Sequence, residues 1–534
     1  MTKKPRVSNP TDRHAKAIAA AIGAGRPPVL TPALDEYLET NPLEIYTALE
    51  GVARHLGPAG QDAPLGFGYL FILQALLERL RFRIDRAYAD ATELVAAFQA
   101  ELARRARMDE IDPHVLTYVG GALHQAGIAV IPELSQAVMG QMPDSDDEAL
   151  PTDVGLIFRE IFETCGGDPF LVTGALSEFG HTLPEEARAS LIAGLPSGGP
   201  EGLAATVLFL LDPGPQVRRA AAAALANAAG ALTPTDMRRL IAMRNWRPPG
   251  EREAVDAIVR KARKAGIACA PWDEAGVENI IASAIDGSAA QGFLLISPAG
   301  RKKRMSSILT KAGVADAWSG EPESSRRIAT SLAEAGADAP MLVVSRAYLD
   351  RTVSHAMALG LDEGEVPPFG LLQVAEVIGG ADWQPARVDD EEALRSLLAA
   401  IPAAQLKPAA VAAVLADSDA LAGLDITQSW FEDGEDVTRM VAARPRGRGR
   451  AKLAEYLLQT VISRRRRYWA DLFVRTALWM REAPATAPLC WRELAIIAKA
   501  LVDGRDVAEI SLMRMIAQST ITALRGRSRL EQEQ

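Results

Sequence analysis

The densest run of cationic side chains passes from Arg444, Arg446, Arg448, Arg450 and Lys452 to the unbroken series Arg464, Arg465, Arg466 and Arg467, with Tyr468 and Trp469 directly after it. Cations that neutralise phosphates release condensed counterions, and aromatic rings beside them stack on bases, so the pattern admits a nucleic-acid footprint. Helix geometry argues against a single stripe. Consecutive helical residues project about 100° apart, and Asp471 and Glu455 are internal partners within reach. A second cationic run, Arg301-Lys302-Lys303-Arg304, falls where a hairpin tip is expected. Its charge suits a phosphate or an acidic partner, and it equally protects a lone strand pair from edge aggregation. The candidate partner or phosphate contacts are therefore Arg301, Lys302, Lys303, Arg304, Arg464, Arg465, Arg466, Arg467 and Trp469.

Other patterns nominate no chemistry. In the small-residue stretch from Asp286 to Gly292 the glycines precede an expected strand, whereas phosphate-binding glycine loops follow one, and no Gly-Lys-Ser/Thr comes after. The six histidines, His14, His55, His114, His124, His181 and His355, lack H-E-x-x-H or paired-cysteine spacing. His114 and His124 can share a helix face, but no third ligand is nominated. Cys165 precedes Gly166-Gly167 with His181 sixteen residues on, which a thiol at a helix end explains as well as a catalytic pair. Ser345 follows an apolar run without the Gly-x-Ser-x-Gly elbow. No catalytic residue, metal site or cofactor is expected.

The elements that must hold these residues are mostly helices. From Leu203 to Gly230 two apolar segments flank a polar break. In the second, Val217, Ala220, Ala221, Ala224, Leu225 and Ala228 share one face of a 3.6-residue period, with Arg218 and Arg219 off that face. Asp212 is placed to cap this helix, Pro213 suits its first turn, and Leu203–Leu211 is apolar all round, as a buried partner helix should be. The series Asp212, Pro213, Val217, Arg218, Ala220, Ala221, Ala224 and Leu225 resembles the turn and second helix of HEAT-type repeats. That resemblance covers about thirty residues and implies a stacked helical array used as a binding scaffold.

A cap residue followed by proline opens helices repeatedly, at Thr31-Pro32, Asn41-Pro42, Asp112-Pro113, Asp168-Pro169, Asp212-Pro213 and Thr233-Pro234. Between them, 43–55, 67–87, 92–106 and 115–126 are amphipathic and predict helices. Segments at 169–194, 203–229 and 234–265 predict helical hairpins. The acidic stretch from Pro143 to Asp153 predicts an exposed loop without the glycine and glutamate of a calcium loop.

Near Pro271 the pattern changes. Gly292–Ser297, the turn Pro-Ala-Gly, the run Arg301–Arg304 and Met305–Thr310 predict a β-hairpin with a basic tip. Met341–Val344 predicts a strand before a helix from Arg346 to Leu359. Helical pattern returns from 386 onward, broken at Pro445–Ala451 and fraying at the terminal EQEQ. Trp469, Phe473 and Trp479 fall near one helix face, as core aromatics do, in a cluster completed by Tyr468 and Trp491. The expected fold is mainly α, an irregular HEAT-like array with a small α+β module near its middle. Its regions are 1–150 helical, 151–270 helical repeats, 271–385 the α+β module and 386–534 helical.

Hydrophobic content of 48% and charged content of 24% suit a globular chain. Three dispersed cysteines, none in a C-x-x-C pair, argue against a disulfide framework or a cysteine zinc site and point to a reducing cytoplasm. No apolar run reaches the roughly 18 to 20 residues of a membrane span, and the basic N-terminus does not lead into a convincing signal peptide. The net charge of −10 is uneven: residues 427–534 hold 19 Lys+Arg against 13 Asp+Glu, leaving −16 on the rest. Only 11 of the 58 basic residues are lysine, so an arginine cluster can be compositional. The leading expectation is a cytoplasmic scaffold or adaptor for a protein partner, without catalytic activity or membrane association. The alternatives are a nucleic-acid-associated factor using the basic C-terminal region, and an enzyme with its site in 271–385.

Overall fold

The computed structural model describes residues 9–24, 28–57, 62–84, 88–140, 154–180, 183–272, 276–338, 340–380, 383–443, 449–484 and 490–530. The expectations for 143–153, for Arg444, Arg446 and Arg448, for His181 beside Cys165, and for the terminal EQEQ lie outside the described residues. The chain is mainly helical with one small antiparallel sheet in its middle. Two units are distinguished: Met1–Leu191 with Gly434–Asp436 and Arg527–Gln534, and Ile192–Asp433 with Val437–Gly526.

In the first unit the helix Ala63–Ile84 packs against helices Pro10–Gly23, Glu44–Leu56 and Pro113–Gln125. Glycines permit that closeness. A Cβ on Gly51 would lie 2.2 Å from the Tyr69 ring, and one on Gly68 would lie 2.4 Å from the Ala15 carbonyl oxygen. The Tyr69 hydroxyl donates to Asp12 at 2.7 Å. Buried Gln99 holds a turn by donating to the Ala129 carbonyl at 3.0 Å and accepting the Ile131 N–H at 2.8 Å.

The cap-and-proline positions act largely as their chemistry requires. Thr31 accepts from Leu34 N–H, Asp112 from His114 N–H, Asp168 from Phe170 N–H, and Thr233 forms a capping box with Asp236. Two differ. The Asn41 side chain donates to the Tyr37 carbonyl and closes the preceding helix, so the next begins at Glu44. Asp212 accepts the Gly214 N–H at 2.7 Å, which makes a turn of residues 212–214 and delays the helix to Pro215–Asn227. The apolar segment before it is helix Pro200–Leu208 continued by a 3₁₀ turn, Phe209–Leu211, all three of whose residues are buried.

Arg218 does not face solvent. It is 3% exposed and pairs with Glu251 at 2.8 Å, while its Nη1 donates to the carbonyls of Asp212 and Pro213. Arg247, 1% exposed, holds the other oxygen of Glu251 at 2.7 Å and donates to the Leu210 carbonyl. Burial lowers the Arg247 pKa to about 10, with Glu251 opposing that shift. One carboxylate thus ties the 212–214 turn to the 3₁₀ turn before it.

The sheet has five strands: β1 (Asn279–Ser283), β2 (Gln291–Ala299), β3 (Lys302–Thr310), β4 (Val314–Ser319) and β5 (Met341–Val343). Their order is β4-β3-β2-β1-β5, every pairing antiparallel. The expected hairpin is β2–β3, but its strands outrun the apolar segments: Ala299 pairs with Lys302, so only Gly300 and Arg301 form the tip. Lys302, Lys303 and Arg304 belong to β3. Phe293 and Tyr348 bring one sheet face against the helix Arg346–Asp362, with ring centroids 6.2 Å apart.

Candidate functional site

The basic C-terminal run is not one surface. Arg464 and Arg465 lie in the turn between helices Arg450–Leu457 and Arg466–Met480, where a π-helical segment, Leu458–Ile462, shifts the register. Arg464 is exposed. Arg465 pairs with Glu432 and stacks over Tyr468, 4.1 Å from the ring centroid. Glu432 is 2% exposed and also accepts from Trp469 Nε1 at 2.8 Å, while Thr520 Oγ1 accepts its backbone N–H. Arg466 donates to the Ser463 carbonyl, and Arg467 pairs with Asp471 at 3.0 Å and Glu391 at 3.1 Å. Trp469 is fully buried with Phe473 beside it, so it supports the core and does not reach a partner.

At the sheet, Arg301 and Lys302 are exposed, Lys303 pairs with Glu278 at 2.5 Å, and Arg304 is half-buried. The Ser345 hydroxyl caps its helix by accepting the Tyr348 N–H, which accounts for a serine there. In the small-residue loop, Asp286 Oδ1 accepts from Ser288 N–H, Ser288 Oγ–H and Ala290 N–H, so the loop satisfies itself. Among the described residues no group of three or more His, Cys, Asp and Glu could hold a metal ion.

Sequence reading did not single out a set of perturbed ionisable groups on three segments of the second unit. His355 is 7% exposed; its Nδ1 accepts the Val388 N–H at 3.0 Å, so the neutral ring carries its proton on Nε2, which is buried without a partner. Burial, then the charges of Arg475 and Arg387, lower its pKa to about 4. Asp390 opens the helix Asp390–Ala399, with Oδ1 3.8 Å from Arg475 Nε; neither buried atom makes a hydrogen bond. Burial raises the Asp390 pKa to about 6 against the attraction of Arg475. Burial also raises that of Asp471, opposed by Arg467. Burial thus favours the neutral forms of His355, Asp390 and Asp471, a perturbation of the kind that functional sites also show. No local spacing announces the set, because its members come from separate helices.

The same helix contributes to a cleft at its other end. Leu398, Leu406, Val411, Leu415, Ile496 and Ala500 line a space of about 500 Å³, with Lys499, Asp503, Gly504 and Arg505 at its edge. Leu415 and Ile496 are buried, whereas Leu406 is 37% exposed. Lys499 pairs with Asp503 and Arg505 with Glu509, so the edge cations are neutralised in place.

Residues 391–525, which include the whole cleft, match the model of the Y4lR C-terminal helical domain. Residues 184–266, which include Arg218, Arg247 and Glu251, match that of the Y4lR second domain. The chain is 27% identical over 443 residues to "Uncharacterized protein y4lR" of Sinorhizobium fredii, covering 79% of this chain and 83% of that protein. No solved structure matches. Among the described residues no helix is long and apolar enough to cross a membrane.

Proposed function

We propose that the protein is a cytoplasmic helical scaffold that binds a protein partner, and that the cleft around Leu398, Leu406 and Val411 receives an aliphatic-faced helix of that partner. The observation that carries this reading is the cleft itself. Its volume of about 500 Å³ lies in the range of binding sites, its floor is aliphatic, and its edge is charged but neutral in sum with Glu509. A helix presenting apolar side chains at i, i+3 or i+4, and i+7 fits such a groove. The helices around Asp212 and Pro213 are in keeping with a HEAT-like element in a binding scaffold. Three unpaired cysteines agree with a reducing compartment. A nucleic-acid role for the C-terminal block is less favoured, because Arg465 and Arg467 already face carboxylates. The test is affinity capture of the full chain from its host's lysate, with and without nuclease, beside Leu406→Asp. A defined protein that survives nuclease and is lost with Leu406→Asp supports the reading. Partners lost on nuclease treatment overturn it.

A further inference from the structure

One helix of the second unit carries end charges that its own polarity disfavours. Helix Pro408–Ala416, PAAVAAVLA, has no polar side chain, yet of its nine residues only Leu415 is buried. A helix apolar on every side is normally found in an interior. Val411 and Leu415 line the cleft. With successive residues about 100° apart, Ala409, Ala412, Ala413 and Ala416 lie on the side turned away from those two, and all four are exposed.

The two ends are reversed in charge. The N-terminus, the positive end of the helix dipole, carries Lys407 at its cap position, and the C-terminus, the negative end, carries Asp417. Both residues are exposed, and neither side chain has a hydrogen bond or ion pair with a described residue. Other helices follow the favoured sense. Asp389 caps the N-terminus of helix Asp390–Ala399, and helix Arg252–Lys264 ends on Lys261, Arg263 and Lys264.

Lys407 and Asp417 stand five residues to either side of Ala412. A twofold antiparallel pairing of two such helices, centred on Ala412, therefore sets each Lys407 beside the other copy's Asp417. It also corrects both dipoles, because an aspartate from the second copy arrives at the N-terminus and a lysine at the C-terminus. Alanines at the crossing let the two axes approach to about 8 Å.

We propose that a second copy of this chain covers the outer face of helix Pro408–Ala416, in an antiparallel pairing about Ala412 closed at each end by Lys407 and Asp417 of the partner subunit. Nine residues span only about 13.5 Å, a contact well below the roughly 800 Å² per partner of a stable complex. The dimer is accordingly weak and reversible, with a dissociation constant on the order of 100 µM. The cleft lies on the other side of the helix, so this pairing goes beyond the scaffold reading and stands whether or not a partner occupies the cleft.

The test is sedimentation velocity of the full chain from about 5 to about 500 µM, where a monomer that dimerises with rising concentration is expected. Lys407→Glu and Asp417→Lys each bring like charges together at both ends of the pair and should each weaken dimerisation roughly tenfold. The combined variant Lys407→Glu/Asp417→Lys should regain the parent's affinity. Each single change supplies the charge that its own helix end favours, so both variants keep the fold, which urea unfolding checks. A chain that stays monomeric throughout, single variants that dimerise as the parent does, or a combined variant no tighter than the single ones overturns the proposal.

Discussion

Replacing Asp390 with Asn separates the pH response of the second unit into two opposed parts. In the folded chain the Asp390 pKa rises from 3.8 to about 6, so the native state holds a proton that the unfolded chain has released. Folding is then unpenalised by this group below about pH 4, and loses stability as pH rises towards 6. The full shift corresponds to about 3 kcal/mol, present at pH 7 and above. His355 runs the other way. Its pKa falls from 6.5 to about 4, so its contribution is intact above about pH 6.5 and about 3 kcal/mol is lost as pH falls to 4. With both present the two slopes nearly cancel between pH 4 and 6.5. In Asp390→Asn the Asp390 slope is removed, and the variant's stability relative to the parent should grow by about 3 kcal/mol from pH 4 to pH 7. In His355→Gln the histidine slope is removed and the raised aspartates remain, so stability should fall over the same interval. Urea unfolding followed by tryptophan fluorescence reads this out, since all eight tryptophans lie in the second unit. Parent and Asp390→Asn curves that stay parallel from pH 4 to 7 would refute the assignment of burial as the dominant influence on Asp390.

Three further outcomes follow from buried groups. Glu432→Ala leaves the Trp469 N–H without its acceptor and Arg465 without its carboxylate; about 3 kcal/mol of stability should be lost in urea unfolding, and a loss below about 1 kcal/mol would mean that Glu432 is not structurally engaged. Glu251→Ala strands Arg218 and Arg247, 3% and 1% exposed, and should cost about 3–5 kcal/mol, with Arg218→Ala non-additive in a double-mutant cycle. Gly51→Ala places a methyl against the Tyr69 ring and should cost about 1–3 kcal/mol, measured by circular dichroism on the first unit's helices; a neutral result would mean that the two helices separate easily.

The sequence was most legible where one residue's chemistry decides a local event. Thr233 with Asp236, and Asp168 before Pro169, open helices because a side-chain oxygen meets an orphan N–H a few residues on. The sheet was half legible. β2 and part of β3 are apolar runs, but β1, NIIAS, has only five residues and β4, VADAWS, carries Asp316 and an exposed Trp318, so neither stands out in the sequence as a strand. Charge was the least legible property. Arg218 looked solvent-facing because its partner Glu251 is 33 residues away; that Arg464–Arg467 form no single stripe was legible from helix geometry, but the partners of Arg465 and Arg467, Glu432 and Glu391, lie on distant segments. Asp390 and Arg475 carry no spacing that announces them, since their encounter depends on how two helices pack. The cleft is legible only in part. Its aliphatic residues belong to evident helices, but which of their faces stay open follows from tertiary packing alone.

The scaffold reading stands or falls on whether a partner's apolar side chains occupy the cleft. The most direct measurement is the affinity of the nuclease-resistant partner for the purified chain, by calorimetry, compared between the parent and Leu406→Asp. A buried charge among Leu398, Val411 and Ile496 should weaken binding by about tenfold or more, with unchanged unfolding in urea. Equal affinity for both proteins would contradict the account and move the partner surface elsewhere on the chain.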